Sequence, residues 1–375
     1  MKKSVTPFTT TGYYGPKYFC NREEETQILL RNIQSGQSTI LVSLRRIGKT
    51  GLIKHTLNQL PKGWLGIYVD ILPTENLNGF LNAMASAIVN AIPEKSGLGT
   101  KIWNIIKSLR PTITYNPLSG IPEVSFDMRQ QETELQIDSL LKFLDQQESR
   151  VLIAIDEFQQ ILYYPESNTD AWFRSIIQQL SNVVFIFSGS QQHLMTKLFT
   201  TPSKPFFRSA QFMKLNKIDA AQYNRFIFKK FKGGKIIITP EVVEQIMQWA
   251  DLHTYYVQLL CNRVYASGKT QITTSIWQDE AYKLLKEQEA VFYNYRYLLT
   301  KLQWQLLKAI AMEGMLYSPT SKDFIMKYML GSPATILRSL NSLLKSEMIY
   351  SEIDQNGRNY YRIYDILFMR WIQGS

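Results

Sequence analysis

The stretch Thr39-Ile40-Leu41-Val42-Ser43-Leu44-Arg45-Arg46-Ile47-Gly48-Lys49-Thr50-Gly51-Leu52-Ile53 decides the fold. Its apolar start reads as a buried strand, and Leu52, Ile53, Leu57 and Leu60 form the apolar face of a following helix. A Gly-Lys-Thr turn between strand and helix is a phosphate loop in its required setting. Backbone N–H groups and the helix N-terminus wrap a β-phosphate, Lys49 reaches the β- and γ-phosphates, and the Thr50 hydroxyl suits Mg²⁺. The binding residues are therefore Ser43, Arg45, Arg46, Ile47, Gly48, Lys49, Thr50 and Gly51. Ser43 stands where the full pattern has its first glycine, and it serves where the turn does not demand a positive φ. A second Gly-Lys-Thr, at 268–270, follows a helical stretch and reads as a helix C-cap and loop.

Outward from this loop, residues 22–33 read as a helix capped by Asn21. Strand-like runs at 64–71, 151–155 and 183–187 alternate with helical stretches at 77–92, 133–144 and 172–180. That alternation predicts a parallel α/β sheet. Residues 1–18 read as an extended arm lying on the surface of something else, and 93–128 as an inserted loop or small hairpin. Helical stretches then follow one another at 220–231, 241–250, 255–265 and 276–298. Three more, at 302–312, 322–329 and 335–345, precede strands at 348–353 and 360–364, the pattern of a winged helix-turn-helix. The expected domains are 1–218 (sheet with arm), 219–298 (helical lid) and 299–375 (winged helix).

The run Val151-Leu152-Ile153-Ala154-Ile155 ends in Asp156-Glu157, so a buried strand delivers two carboxylates at the sheet edge where open α/β sheets bind ligands. Beside a phosphate loop, Asp156 would hold the Mg²⁺ shell and Glu157 would polarise the attacking water; Asp156 as a helix N-cap is the blander alternative. The next strand ends in Ser188-Gly189-Ser190-Gln191, where Ser190 or Gln191 senses the γ-phosphate or the water, or Ser190 caps the following helix. Asp70, at another strand end, is a weaker site candidate or a turn cap. Arg208 either stabilises charge on the γ-phosphate as a catalytic group or is a surface arginine.

Of 375 residues, 45% are hydrophobic and 19% charged, which favours ordered domains over disorder. The net charge of +11 favours polyanionic partners. Two cysteines without metal-ligand spacing and three histidines argue against a zinc site, and reduced thiols fit a cytoplasmic protein. No apolar run reaches the length of a membrane span, and no apolar segment follows the two N-terminal lysines.

Together, Phe19-Cys20-Asn21-Arg22-Glu23, SLRRIGKT, VLIAIDEFQ, FSGSQQHLM and PFFRS resemble the archaeal-type ATPase family, within the STAND branch of AAA+ proteins. The stretch from Asp251 to Gln258 is similar to that family's Gly-His-Pro-Tyr-Tyr segment, with its Gly and Pro replaced, and residues 361–371 are similar to its C-terminal signature without a proline after Asp365. The resemblance implies a P-loop AAA+-type parallel sheet of strand order 5-1-4-3-2, an α-helical lid, ATP with Mg²⁺ at their junction, and Phe19 and Arg22 beside the adenine.

In the winged domain, Ile336, Leu337, Leu340, Leu343 and Leu344 are expected on one core face. Thr335, Arg338 and Asn341, with wing residues Asn356, Arg358 and Asn359, are candidate duplex DNA contacts; docking within the chain or on a protein partner is the alternative. Two functions follow: a slow ATP-hydrolysing switch controlling its winged helix, or a nucleotide-dependent DNA-binding or scaffold protein with negligible turnover. The latter is favoured by Ser43 and the altered Leu252-His253-Thr254-Tyr255-Tyr256 stretch. A monomer or a nucleotide-dependent oligomer, without a membrane partner, fits either.

Overall fold

A computed structural model describes residues 6–94, 96–108, 111–117, 120–126 and 129–374; the start of the expected arm, residues 1–5, and parts of the 93–128 insertion lie outside them. The described chain divides into two compact units. The first comprises Thr11–Lys217, and the second residues 6–10 with 218–374.

In the first unit, α1 (Glu23–Gln34), β1 (Thr39–Val42), α2 (Lys49–Leu57), β2 (Trp64–Asp70), α3 (Leu77–Ala91) and α4 (Gly97–Ser108) come in turn. Then follow β3 (Thr112–Tyr115), β4 (Pro122–Ser125), α5 (Gln130–Asp145), β5 (Arg150–Asp156), α6 (Thr169–Ile177), β6 (Val183–Gly189), α7 (Gln192–Thr200) and β7 (Gln211–Lys214). β2, β5, β6, β1 and β7 form, in that spatial order, one parallel sheet. With the separate β3–β4 hairpin set aside, these are sheet strands 2-3-4-1-5, which is the order 5-1-4-3-2 counted from the opposite edge. Strands β5 and β6 are buried nearly throughout because helices cover both faces of such a sheet, which is why they read as unbroken apolar runs.

Three local expectations in the N-terminal third of the chain change. Asn21 does not cap α1: Asn21 (φ 49°) and Arg22 (φ 89°) are both left-handed, whereas an N-cap side chain works from extended backbone. The insertion holds a helix besides its hairpin; Ile102, Trp103 and Ile106 on α4 are buried, but the Gly-rich start of α4 masks that face in the sequence. The N-terminal segment is divided, since Phe8 is fully buried in the second unit against Phe231 (centroids 5.0 Å apart), and its carbonyl accepts from Asn262 (2.7 Å).

The second unit continues with α8 (Ala220–Gly233), α9 (Pro240–Trp249), α10 (Thr254–Ala266), α11 (Thr274–Leu298), α12 (Lys301–Glu313), α13 (Lys322–Tyr328), α14 (Pro333–Lys345), β8 (Ile349–Ile353), β9 (Asn359–Ile363) and α15 (Ile366–Gly374). The antiparallel β8–β9 pair is the wing. Leu337 leaves the expected core face, being 45% exposed, while Ser339 is buried. Ile336, Ser339, Leu340 and Leu343 form an i, i+3, i+4, i+7 stripe, and Leu337 sits about 100° around the helix from Ile336. No helix among the described residues is long and apolar enough to cross a membrane.

Candidate functional site

Strand β1 runs in the middle of the sheet between β6 and β7 and delivers the loop Ser43–Thr50 to its carboxyl edge. The left-handed positions in that loop are Arg46 (φ 62°) and Gly48 (φ 107°), and Ser43 is not among them. Serine is therefore accommodated at the first-glycine position: it is fully buried, and its hydroxyl donates to the Leu44 carbonyl (2.7 Å). Ile47 is buried in the apolar cluster with Leu52 and Ile53, which anchors the loop and leaves only its backbone to a ligand. Lys49 opens α2 and is buried.

Strand β5 lies one strand away and brings its carboxylates to the same edge. The Thr50 hydroxyl donates to Asp156 Oδ2 (2.6 Å), as does the Tyr68 hydroxyl from β2 (2.9 Å). Ser188 from β6 donates to Asp156 Oδ1 (2.7 Å), and the Glu157 N–H donates to the same oxygen (3.1 Å). Burial would push the Asp156 carboxyl up, but the Lys49 charge and the hydrogen bonds from Ser188, Thr50 and Tyr68 outweigh it and hold the group below the usual carboxylate range. A hydroxyl and an ionised carboxylate oxygen converging at 2.6 Å are the hard oxygen donors that a Mg²⁺ bound with phosphate takes.

Glu157 stands just past the strand in a left-handed conformation (φ 55°). Its Oε2 accepts from the Ser190 N–H (3.2 Å), the Ser190 hydroxyl (2.7 Å) and the Gln159 amide (2.6 Å). Its Oε1 lies 3.6 Å from Lys49 Nζ. Arg45 Nε donates to the same Ser190 hydroxyl at 3.4 Å, so the phosphate loop, the acid and the end of β6 form one network. The Ser190 side chain is thus directed at Glu157, and the following helix has Gln191 at its N-cap without a side-chain cap bond.

The Phe19 ring packs on α2, where a Cβ at Gly51 would meet it at 3.4 Å, and stacks on His55 at 4.2 Å. Tyr13 adds an edge contact to Phe19 and a 2.8 Å hydrogen bond to His55 Nδ1. Arg22 is buried, ion-paired with Glu25 (2.6 Å) and bonded to the Asn216 carbonyl (2.7 Å), so it ties the start of α1 to the segment after β7. Asp70 Oδ1 accepts from the Leu72 N–H (3.0 Å), the geometry of a turn cap. Arg208 is exposed, with its guanidinium 5.2 Å over the Phe207 ring, and no hydrogen bond or ion pair described for it joins it to the acidic cluster. The second Gly-Lys-Thr forms an exposed loop after α10, with Gly268 at φ 72°.

Tyr68, Gln159 and His55 were not legible as site residues. Tyr68 lies two residues before Asp70 on β2, and only the pairing of Asp70 with Asp156 across the two strands brings its hydroxyl to the acid.

A family model described as an ATPase domain predominantly from Archaea matches residues 19–260, and one described as a probable winged helix domain matches residues 290–374. None of the curated proteins matches this sequence. Among solved structures, the Walker-type ATPase of Pyrococcus abyssi is similar over 98% of this chain and 100% of its own, with a TM-score of 0.68 and 16% identity. The Aeropyrum pernix ORC2 protein in its ADPNP-ADP complexes is similar over 97% of each chain, with a TM-score of 0.56 and 13% identity. The Aeropyrum pernix ORC1 protein in complex with DNA is similar over 99% of this chain and 97% of its own, with a TM-score of 0.51 and 13% identity. These three likenesses concern the fold, whereas the first family model spans the phosphate loop, the acidic strand end and the Ser190 segment in one match, and the chain belongs to that family of ATPase domains predominantly from Archaea.

Proposed function

We propose that the protein is a slow, Mg²⁺-dependent ATP-hydrolysing switch of the STAND type, working in a reducing cytoplasm, whose nucleotide state controls its winged helix. The carrying observation is the network in which Lys49 and Ser190 both engage Glu157. Lys49 belongs on the β- and γ-phosphates of ATP, so nucleotide entry draws the ammonium from Glu157. Glu157 is then the general base, Thr50 and Asp156 hold the metal, and Ser190 senses the γ-phosphate. Lys49 acts with Glu157 in catalysis. The Ser43–Gly51 backbone, with Arg45 and Arg46, cradles the phosphates, and Phe19 and Arg22 border the base. Arg208 is assigned to γ-phosphate charge in a closed or oligomeric state. The sheet domain covers residues 11–217, and the winged helix (299–375), packed with the lid (219–298) in the second unit, is the responding element.

Steady-state phosphate release from Mg-ATP tests this, with Lys49→Ala as the blank. Wild type is expected above the blank. Lys49→Ala weakens ATP binding about 10- to 100-fold, the worth of a charge-assisted contact. Glu157→Gln keeps ATP binding and loses about 10²- to 10⁴-fold in turnover. Equal turnover in Glu157→Gln would remove it as the base.

The second reading, a nucleotide-dependent DNA-binding protein with negligible turnover, draws on α14. Ser332 caps it, Arg338 and Asn341 are exposed on it, and the ORC1 protein of similar fold is described in complex with DNA. Wing residue Arg358 is ion-paired with Asp354 (2.9 Å) and lies over Tyr317, while Asn356 and Asn359 are exposed beside it. ATP binding without release above the blank would select this reading.

A further inference from the structure

Helix α8 carries a feature that neither nucleotide chemistry nor the winged helix uses. Its sequence, Ala220-Ala221-Gln222-Tyr223-Asn224-Arg225-Phe226-Ile227-Phe228-Lys229-Lys230-Phe231-Lys232-Gly233, has four basic residues and no acidic one. Tyr223, Ile227 and Phe231 are buried, an i, i+4, i+8 stripe facing the core of the second unit. Arg225, Lys229 and Lys232 are exposed at i, i+4, i+7. At about 100° per residue the two stripes are centred roughly 180° apart, so the cations face directly away from the core.

Folding does not account for this face. Among the described residues Arg225, Lys229 and Lys232 form no ion pair, whereas Lys142, Lys283 and Lys286 each have an acidic partner. Lys230 and Lys232 lie in the last turn and offset the helix dipole there. Arg225 and Lys229 lie earlier and do not need that explanation. Three like charges along about 10 Å of helix repel one another, a cost that a polyanion removes.

We propose that the outer face of α8 is a docking surface for the phosphate backbone of duplex nucleic acid, bound without regard to sequence. The stripe's length matches about three phosphates of one strand, at about 3.4 Å of duplex axis each. A membrane surface fits less well, because exposed large apolar side chains do not interleave with these cations: Phe226 and Phe228 are partly buried and Ile227 is buried. The proposal goes beyond the nucleotide switch and places the contact on a different helix from α14.

The test is fluorescence anisotropy of a labelled random-sequence duplex with the full chain, titrated at several salt concentrations. The triple variant Arg225→Gln, Lys229→Gln, Lys232→Gln is compared with Lys142→Gln, Lys283→Gln, Lys286→Gln, which removes the same charge from ion-paired lysines. The α8 variant is expected to bind about a hundredfold more weakly near 0.15 M salt, and its log–log salt slope to flatten by about 2.7, while the control keeps wild-type values. Unfolding midpoints and fluorescent-ATP affinity of both variants should match wild type, which separates this proposal from the nucleotide switch, whose failure shows in Lys49→Ala and Glu157→Gln. Equal loss in the two triple variants, an unchanged salt slope in the α8 variant, or α8-dependent binding to phosphatidylserine vesicles with unchanged duplex affinity would overturn it.

Discussion

Gly189 closes β6 between two polar side chains of the site, and a methyl group there has no room. A Cβ would lie 2.6 Å from Met195 Sδ and closer still to Gln159 Oε1. Gly189→Ala is therefore expected to destabilise the first unit by about 1–3 kcal/mol, the usual cost of overpacking, read in urea unfolding. Because Gln159 also donates to Glu157, the same variant should lower turnover. Asp156 makes a pH prediction. Its folded pKa lies below its unfolded value of about 3.9, so its stabilisation is present above that value and is lost as pH falls through the folded pKa. The advantage of wild type over Asp156→Asn in unfolding free energy should be constant above about pH 5 and shrink below about pH 4.

At the scale of elements, the start of α12 was encoded locally. Thr300 and Gln303 make a capping box, with the Gln303 side chain accepting from the Thr300 N–H at 2.8 Å. Thr300→Ala should cost about 1 kcal/mol, measured by thermal unfolding of the full chain. Helix α1 is the contrast: its first turn carries Glu23, Glu24 and Glu25, which suits the dipole, yet its entry is held by Arg22 reaching Asn216, far along the chain. No local rule exposes that bond, which is why an asparagine cap was the natural expectation. The phosphate loop was legible because strand, turn and helix are contiguous. The Ser188, Tyr68 and Gln159 contacts to the two acids were not, since they depend on strand register and a 3₁₀ turn after β5.

At the scale of the whole molecule, the stretches resembling the two C-terminal family signatures meet. Arg362 on β9 pairs with Asp251 (2.9 Å), the Tyr256 hydroxyl donates to Asp365 (3.1 Å), and Arg370 donates to the Trp249 carbonyl (2.7 Å). Helix α11 adds Phe292, which packs edge-on against Phe368 and at a tilt against Trp371 of α15. Helices α8–α11 and the winged helix are therefore one compact unit. In the full chain this unit should melt in a single transition, which Arg362→Ala lowers. The variant leaves Asp251 without its guanidinium and should cost about 2 kcal/mol, below the fully buried range because Asp251 is partly exposed. Separate transitions for the lid and winged parts would contradict this.

The sequence alone determined the sheet, the phosphate loop and the paired acids, because apolar periodicity and turn chemistry act over a few residues and survive without tertiary context. The 45% hydrophobic composition and the alternation of strands and helices sufficed for the fold class. Only tertiary structure decided that Ser190 is spent on Glu157, that Asp70 closes a turn, that Leu337 faces outward, and that Phe8 is buried beside Phe231. Each of those outcomes turns on which group far along the chain arrives to bond or pack, and such long-range contacts leave no periodic trace in the residues that make them.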